Sequence, residues 1–362
     1  MKKQLLVFAA TALFISCSSD GLRNEIVEAE TPIGFETFSS KALKSSSSTN
    51  LEDYLTTFGV WSYKTVKRDD PQNPGTQKDT EEEVMNGNHG YKVTHNDTNG
   101  HGAAGWHYDG TAGSALGQVI KYWDKAASKY EFYAYAPYSE NVTISNHVIS
   151  IAAGQYAANE NLQGTLSTTL NSEIFTGDGT TAQNKSTDWM MPAVYTRDAT
   201  NNVMGTGTVV LDFKHILSKI IVVVKTQDDF PYDITLNSIS LNNIFGTGSY
   251  NGTNWDINGQ TAVNIDGAAA GTISKSTTTT QNKYYSIECL AIPQSSAQPK
   301  LSVNYTISGE TFDVVDAAID QIQSFAKGTV YTITATIGPA PIHFDCTVTD
   351  WTVNNNGSSS IQ

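Results

Sequence analysis

Cysteine is nearly absent from this chain, with three in 362 residues. That excludes a small secreted scaffold held together by disulfides. Basic charge is also short: 22 Lys and Arg stand against 36 Asp and Glu, a formal net charge of −14, which excludes nucleic acid as a partner. Charged residues of either sign make up only 16% of the chain, and no segment keeps a 3.6-residue apolar period, so long amphipathic helices are not expected. The apolar run Leu5 to Ile15 covers 11 residues, well short of the ~20 that a helix needs to cross a bilayer. The constellations of catalysis are missing too. His215 has no G-x-S-x-G elbow, cysteine nucleophile or carboxylate pair beside it and reads as a core or interface histidine. Gly246-Thr247-Gly248 lacks the spacing of a phosphate-binding loop and reads as a turn. Neither an enzyme nor a bound cofactor is expected.

What is present begins with a leader. Lys2 and Lys3 precede the Leu5–Ile15 run, and Phe14-Ile15-Ser16-Cys17 is a loose form of the small-residue-before-cysteine site of bacterial lipoproteins. The expectation is a signal peptide over 1–16, a lipidated Cys17 held by acyl chains, and a polar, acidic tether over 17–31. Removing Lys2 and Lys3 makes the mature chain more acidic still.

Gly, Ser, Thr and Asn abound beyond the tether, a composition for short strands joined by polar turns. Ile33 and Phe35 alternate with polar neighbours, followed less regularly by Phe38, and predict a first strand. The serine-rich stretch after it carries Lys41 and Lys44 in a segment open to proteolysis. Further strands are predicted at Phe58–Tyr63, Tyr91–Thr94, Trp106–Tyr108, Ile120–Trp123 and Tyr130–Tyr135. Asn50–Leu55 offers the one weak helix. From Val209 the alternation is strongest: Val209, Leu211, Phe213 and His215, then a break at Ile216-Leu217-Ser218, then Ile220, Val222 and Val224. This reads as two strand arms joined by a bulge or kink. Charge and proline at Gln227–Pro231 suggest a boundary between domains at 32–226 and 227–362. Past it, strands are expected at 234–241, 284–292, 301–307, 330–337 and 342–348. Many short strands without interleaved helices predict two tandem antiparallel β-sandwiches.

Three groups of residues call for chemical readings. His89, His95, His101 and His107 recur every six residues, but no cysteine or carboxylate pair completes a ligand set, so they read as loop histidines and no metal is expected. Cys289 and Cys346 lie in alternating runs where a disulfide and two buried thiols are both open. Trp106 and Trp255, in Gly- and Asn-rich surroundings, are the tryptophans expected at the surface, where they would be candidate glycan contacts.

Several motifs occur in a telling order: the leader and Cys17, the Ile33-x-Phe35 strand ahead of a basic site, Phe58-Gly59-Val60-Trp61, Tyr122-Trp123, Phe132-Tyr133-Ala134-Tyr135-Ala136-Pro137, Leu211-x-Phe213-x-His215-x-Leu217-Ser218-Lys219, Ile292-Pro293-Gln294, Gly328-x-x-Tyr331-x-Ile333 and Val348-Thr349-Asp350-Trp351. In this order they resemble the fimbrillin, or Mfa-like, family of type V pilins, over nearly the whole mature chain. The resemblance implies two transthyretin-like β-sandwich domains and export as a lipoprotein to the outer membrane and cell surface. It further implies that a trypsin-like protease removes the lipidated first strand and that a strand from a neighbouring subunit fills the vacated groove. Ile33 and Phe35 would be the plugs that leave. Members of the family are commonly cut at arginine, whereas the matching place here holds Lys41, with Lys44 as second choice; Arg23 lies ahead of the strand. The partners so implied are other fimbrial subunits, the outer membrane through the anchor before processing, and host or bacterial surface ligands. An uncut chain would act as an anchor or capping subunit, and a non-polymerising tip adhesin or a surface glycan-binding lipoprotein is the alternative reading.

Overall fold

The computed structural model describes residues 30–38, 56–95, 105–108, 117–155, 166–167, 189–198, 204–227, 229–245, 247–257, 262–267, 271–273, 284–339 and 341–350. Cys17, Lys41, Lys44, His101, Trp351 and the helix expected at 50–55 lie outside them. Every regular element among the described residues is a β-strand. The earlier strands are β1 (Gly34–Phe38), β2 (Thr57–Asp69), β3 (Gln77–Met85), β4 (Tyr91–His95), β5 (Trp106–His107), β6 (Lys129–Tyr135), β7 (Val142–Ser145) and β8 (Val148–Gln155). Then come β9 (Leu166–Ser167), β10 (Met190–Met191), β11 (Tyr195–Asp198), β12 (Thr208–Asp212), β13 (Lys214–His215) and β14 (Ser218–Thr226). The later ones are β15 (Ile234–Phe245), β16 (Thr247–Tyr250), β17 (Trp255–Asp256), β18 (Ala262–Gly267), β19 (Gly271–Ile273), β20 (Tyr284–Ala291), β21 (Lys300–Ile307), β22 (Glu310–Ala318), β23 (Thr329–Ile337) and β24 (His343–Asp350).

β2 is the axis of the earlier part. It pairs with β6 along one edge and with β4 and β3 along the other, in a sheet ordered β11-β6-β2-β4-β5 with β3 on the far stretch of β2. Both faces of this sheet are covered. Phe58 and Val60 turn into a core shared with Phe132, Val209, Leu211 and Phe213, while Trp61, Tyr133 and Tyr135 turn into the other core. Burial on two faces is why Phe58–Ser62 is buried without the in-out alternation of a half-exposed strand. Gly59 lies opposite Tyr135, whose ring crosses the place a Cβ would take, and the Tyr135 hydroxyl donates to a carbonyl of His89 or Ser139, at 3.0 and 2.9 Å.

β12 runs through β13 into β14 after a short break, so the kink expected at Ile216–Ser218 carries the chain from one core to the other. Ser218–Thr226 is buried almost throughout and sits inside a sheet ordered β24-β23-β14-β20-β9. Its hydrogen bonds therefore go to strands from beyond residue 227, and the Gln227–Pro231 break follows a central strand of that sheet. Val222 and Val224 meet Ile234, Leu236, Leu301 and Ile333 in one core, to which the second sheet, β18-β15-β21-β22 with β19 on β15, contributes. A four-stranded sheet, β17-β16-β8-β7, joins strands of the earlier and later parts. Two pairs depart from the expected antiparallel pattern: β1 runs parallel to β12, and β14 parallel to β23.

Cys289 on β20 and Cys346 on β24 are separate thiols. β14 and β23 lie between them in the sheet, which at ~4.8 Å per strand sets them about 14 Å apart, more than twice the reach of a disulfide. Burial pushes the Cys346 thiol up to about 11.

Candidate functional site

The first strand and its groove form the best-defined site. Alternation places Ile33, Phe35 and Thr37 inward and leaves Glu36 exposed. The segment enters beside residues 121–123: the Ile33 amide donates to the Lys121 carbonyl at 2.8 Å, and the Trp123 amide to the Thr31 carbonyl at 2.9 Å. Tyr108 locks this entry, its hydroxyl donating to the Ile33 carbonyl at 2.8 Å. Gly34 to Phe38 then pair in register with Thr208 to Asp212. Among the described residues β12 has no other strand partner.

The plug residues are core residues, Ile33 at 2% and Phe35 at 1% exposure. The Phe35 ring meets Phe58, Tyr108 and Phe132 edge-on, at centroid distances of 5.6, 5.7 and 6.1 Å. Burying two such side chains contributes roughly 1.5–3 kcal/mol each. The groove wall is braced from outside. The Trp123 indole donates to the Gly207 carbonyl at 3.0 Å, and the Arg197 guanidinium lies over the Trp123 ring at 4.9 Å. Lys64 Nζ reaches Asp124 at 2.7 Å. The Lys64 bond holds the Asp124 carboxyl below its ordinary range, against the effect of burial. Burial works against the Lys64 charge, but the bond and charge of Asp124 outweigh it and raise the ammonium.

Of the two tryptophans expected at the surface, Trp106 is a correction. It is 1% exposed, because β5 pairs with β4 and carries the indole onto Phe58 at 4.9 Å. Trp255 is half-buried, its indole donating to the Ile216 carbonyl at 2.8 Å and its ring 5.3 Å from Tyr250. It lines an open cleft of ≈ 470 Å³ with Asn254, Gln294, Phe325 and Lys327.

The histidines expected in loops are partly strand residues: His95 ends β4 against Trp106, and His107 is buried on β5. His89 sits in a turn with Nδ1 3.0 Å from the Val142 carbonyl. His215 is buried on β13 opposite Met190. Sequence reasoning passed over a different histidine, His147, which lies beside Glu81 and Glu131. The signal for it was the alternating pair of runs around Ser145-Asn146-His147-Val148, a hairpin turn that sets His147 at its tip.

Comparison with known proteins brings a family and a set of structures. A family model described as fimbrillin-like matches residues 56–351. Among solved structures, a fimbrial protein from Bacteroides vulgatus is similar at 17% identity and a TM-score of 0.51, covering 89% of this chain and 99% of its own. A protein assigned to cell adhesion from Bacteroides ovatus is similar at 15% identity and a TM-score of 0.47, covering 90% and 99%. The tip fimbrial protein Mfa3 from Porphyromonas gingivalis is similar at 10% identity and a TM-score of 0.32, covering 82% and 94%. No curated protein matches the chain.

Proposed function

Since this chain belongs to the fimbrillin-like family, we propose that it is a structural and adhesive subunit of a surface fimbria, assembled by exchange of its first strand. The chain is exported as a lipoprotein and held to the outer membrane through acyl chains on Cys17. Cleavage after Lys41 or Lys44 releases the segment that carries Ile33 and Phe35. A strand from a neighbouring subunit then enters the vacated groove. The observation that carries this reading is the setting of β1: among the described residues it pairs only with β12, in parallel, and it sends Phe35 into one core. Its loss would leave the β12 ladder without a partner beside an apolar slot, and an incoming strand satisfies both needs at once. Arg23 is no substitute for Lys41, since a cut there frees the lipid while leaving β1 in place.

The test is N-terminal sequencing of the protein recovered from the cell surface, with the oligomeric state of purified chain before and after lysine-directed cleavage. A start at Ala42 or within a few residues of it, together with denaturation-resistant ladders from the cut protein only, is the expected result. A lipidated Cys17 on the mature surface protein would instead mark an anchor or capping subunit.

A second reading is favoured by the Trp255 cleft, in which an aromatic face borders amide and ammonium groups of the kind that hold a sugar ring. If this cleft binds glycan, Trp255→Ala abolishes binding on a glycan array, and Lys327→Gln at the exposed rim weakens it at a nearly unchanged melting temperature.

A further inference from the structure

Outside the groove and the cleft, one cluster combines an imidazole with two carboxylates. Glu81 on β3, Glu131 on β6 and His147 at the tip of the β7–β8 hairpin each offer a ligand atom, all within 4.8 Å of one another. They come from three parts of the chain, and the sheet brings them together. Across β2, Glu131 lies opposite Tyr63 and Glu81 opposite Thr65. Residues 63 and 65 share a face by the strand's period of two, so both carboxylates rise on that face. The hairpin sets His147 over it, with Nε2 2.8 Å from Glu81 Oε1. The imidazole is held between two aromatic rings, 4.6 Å from Tyr63 and 5.6 Å from Tyr133.

We propose that Glu81, Glu131 and His147 form a binding site for a divalent transition-metal ion of the zinc class. One imidazole and two carboxylates suit such an ion, whereas an all-oxygen set would suit calcium. Tetrahedral zinc with ligands at ~2.0–2.1 Å sets them about 3.3 Å apart, so closing the set requires shifts of no more than roughly 1.5 Å at partly exposed side chains. A solvent molecule completes the fourth position. The surroundings are acidic as well, since Glu83 lies opposite Tyr63 in the same β2–β3 register. One cation competes. Lys129 Nζ contacts Glu131 Oε1 at 2.6 Å, and the metal must displace it. The consequence of binding is a clip between the β2–β3–β6 sheet and the hairpin whose β8 pairs with β16, strengthening the junction between the earlier and later parts of the chain.

Zinc chloride titrated into the full-length protein, followed by calorimetry and by the melting temperature, tests the site. One equivalent binds and raises the melting temperature in the unaltered protein. His147→Gln and Glu131→Gln weaken binding at least about tenfold. Lys129→Gln removes the competitor and tightens binding severalfold without adding a ligand, an outcome that general damage to the fold does not produce. No binding up to ~1 mM zinc, a free energy of only about −4 kcal/mol, or equal affinity in all three variants, overturns the proposal.

Discussion

Phe35 stands edge-on to Phe58, ring centroids 5.6 Å apart at 81°, so a residue of the first strand packs directly against the middle strand of the six-stranded sheet. The contact makes the strand a part of the core rather than a flap lying over it. Phe35→Ala should therefore destabilise the uncut protein by about 3–5 kcal/mol, the usual cost of emptying a buried aromatic site. Urea denaturation with an unchanged slope would show it. A loss below ~1 kcal/mol would mean that the strand is a replaceable cover.

Placing carboxylates at both plugs goes further. Ile33→Asp with Phe35→Asp buries two ionisable groups beside Tyr108 and Phe132, which costs several kcal/mol unless they stay protonated. The double variant should unfold at neutral pH and regain part of its stability as the pH falls toward 5, tracked by tryptophan fluorescence. Pairing partners for the new carboxylates would abolish that pH dependence.

Lys64 and Asp124 provide the opposite pH signature. The Asp124 carboxyl is lowered in the folded protein, so its contribution is present above the ordinary carboxylate range and disappears as pH falls through the folded value. The Lys64 ammonium is raised, so its contribution is complete below the ordinary lysine value and disappears as pH rises through the folded one. Asp124→Asn should cost about 1 kcal/mol between pH 6 and 9 and progressively less below pH 4. Melting curves across that range check the sign.

Gly59 supplies a steric prediction. A Cβ there would occupy the space of the Tyr135 ring, and overpacking of this kind costs about 1–3 kcal/mol. Gly59→Ala should lower the melting temperature, and adding Tyr135→Phe should not restore it, because the ring atoms still meet the new Cβ once the hydroxyl is gone.

The Cys346 thiol, raised by burial, should react slowly. At pH 8 its thiolate fraction is on the order of 100-fold below that of an unperturbed cysteine. Iodoacetamide labelling of folded protein, read by mass spectrometry, should leave it largely unmodified until denaturant is added.

Strands were legible in the sequence where alternation survives because one face of a sheet is buried, as at Leu301–Ile307 and Ile33–Phe35; β3, β8 and β22 were not expected, and the strand expected at Ile120–Trp123 is only an isolated bridge between Pro32 and Tyr122. Trp106 was misplaced for the opposite reason: a two-residue strand in a glycine-rich stretch carries no period, and its burial depends on β4 lying beside it. The membership of Ser218–Thr226 was hidden as well. A strand covered on both faces reads the same from either side of a kink, and only its pairing with β20 and β23 assigns it to a sheet. The Glu81, Glu131 and His147 cluster is assembled by cross-strand register, which spacing along the chain does not encode.

The continuity of β12, β13 and β14 bears on mechanics. Tension applied to whatever strand occupies the β12 groove acts along the ladder, so that the bonds must shear together instead of peeling one by one, and the rate of forced opening falls accordingly. Beyond Asp212 the same backbone leads within a few residues to Ser218, the start of a strand clamped between β20 and β23. A pull on the groove is thereby delivered to a strand hydrogen-bonded along both edges, so a filament built through this groove, as proposed, would load the interior of a sheet and not a free edge.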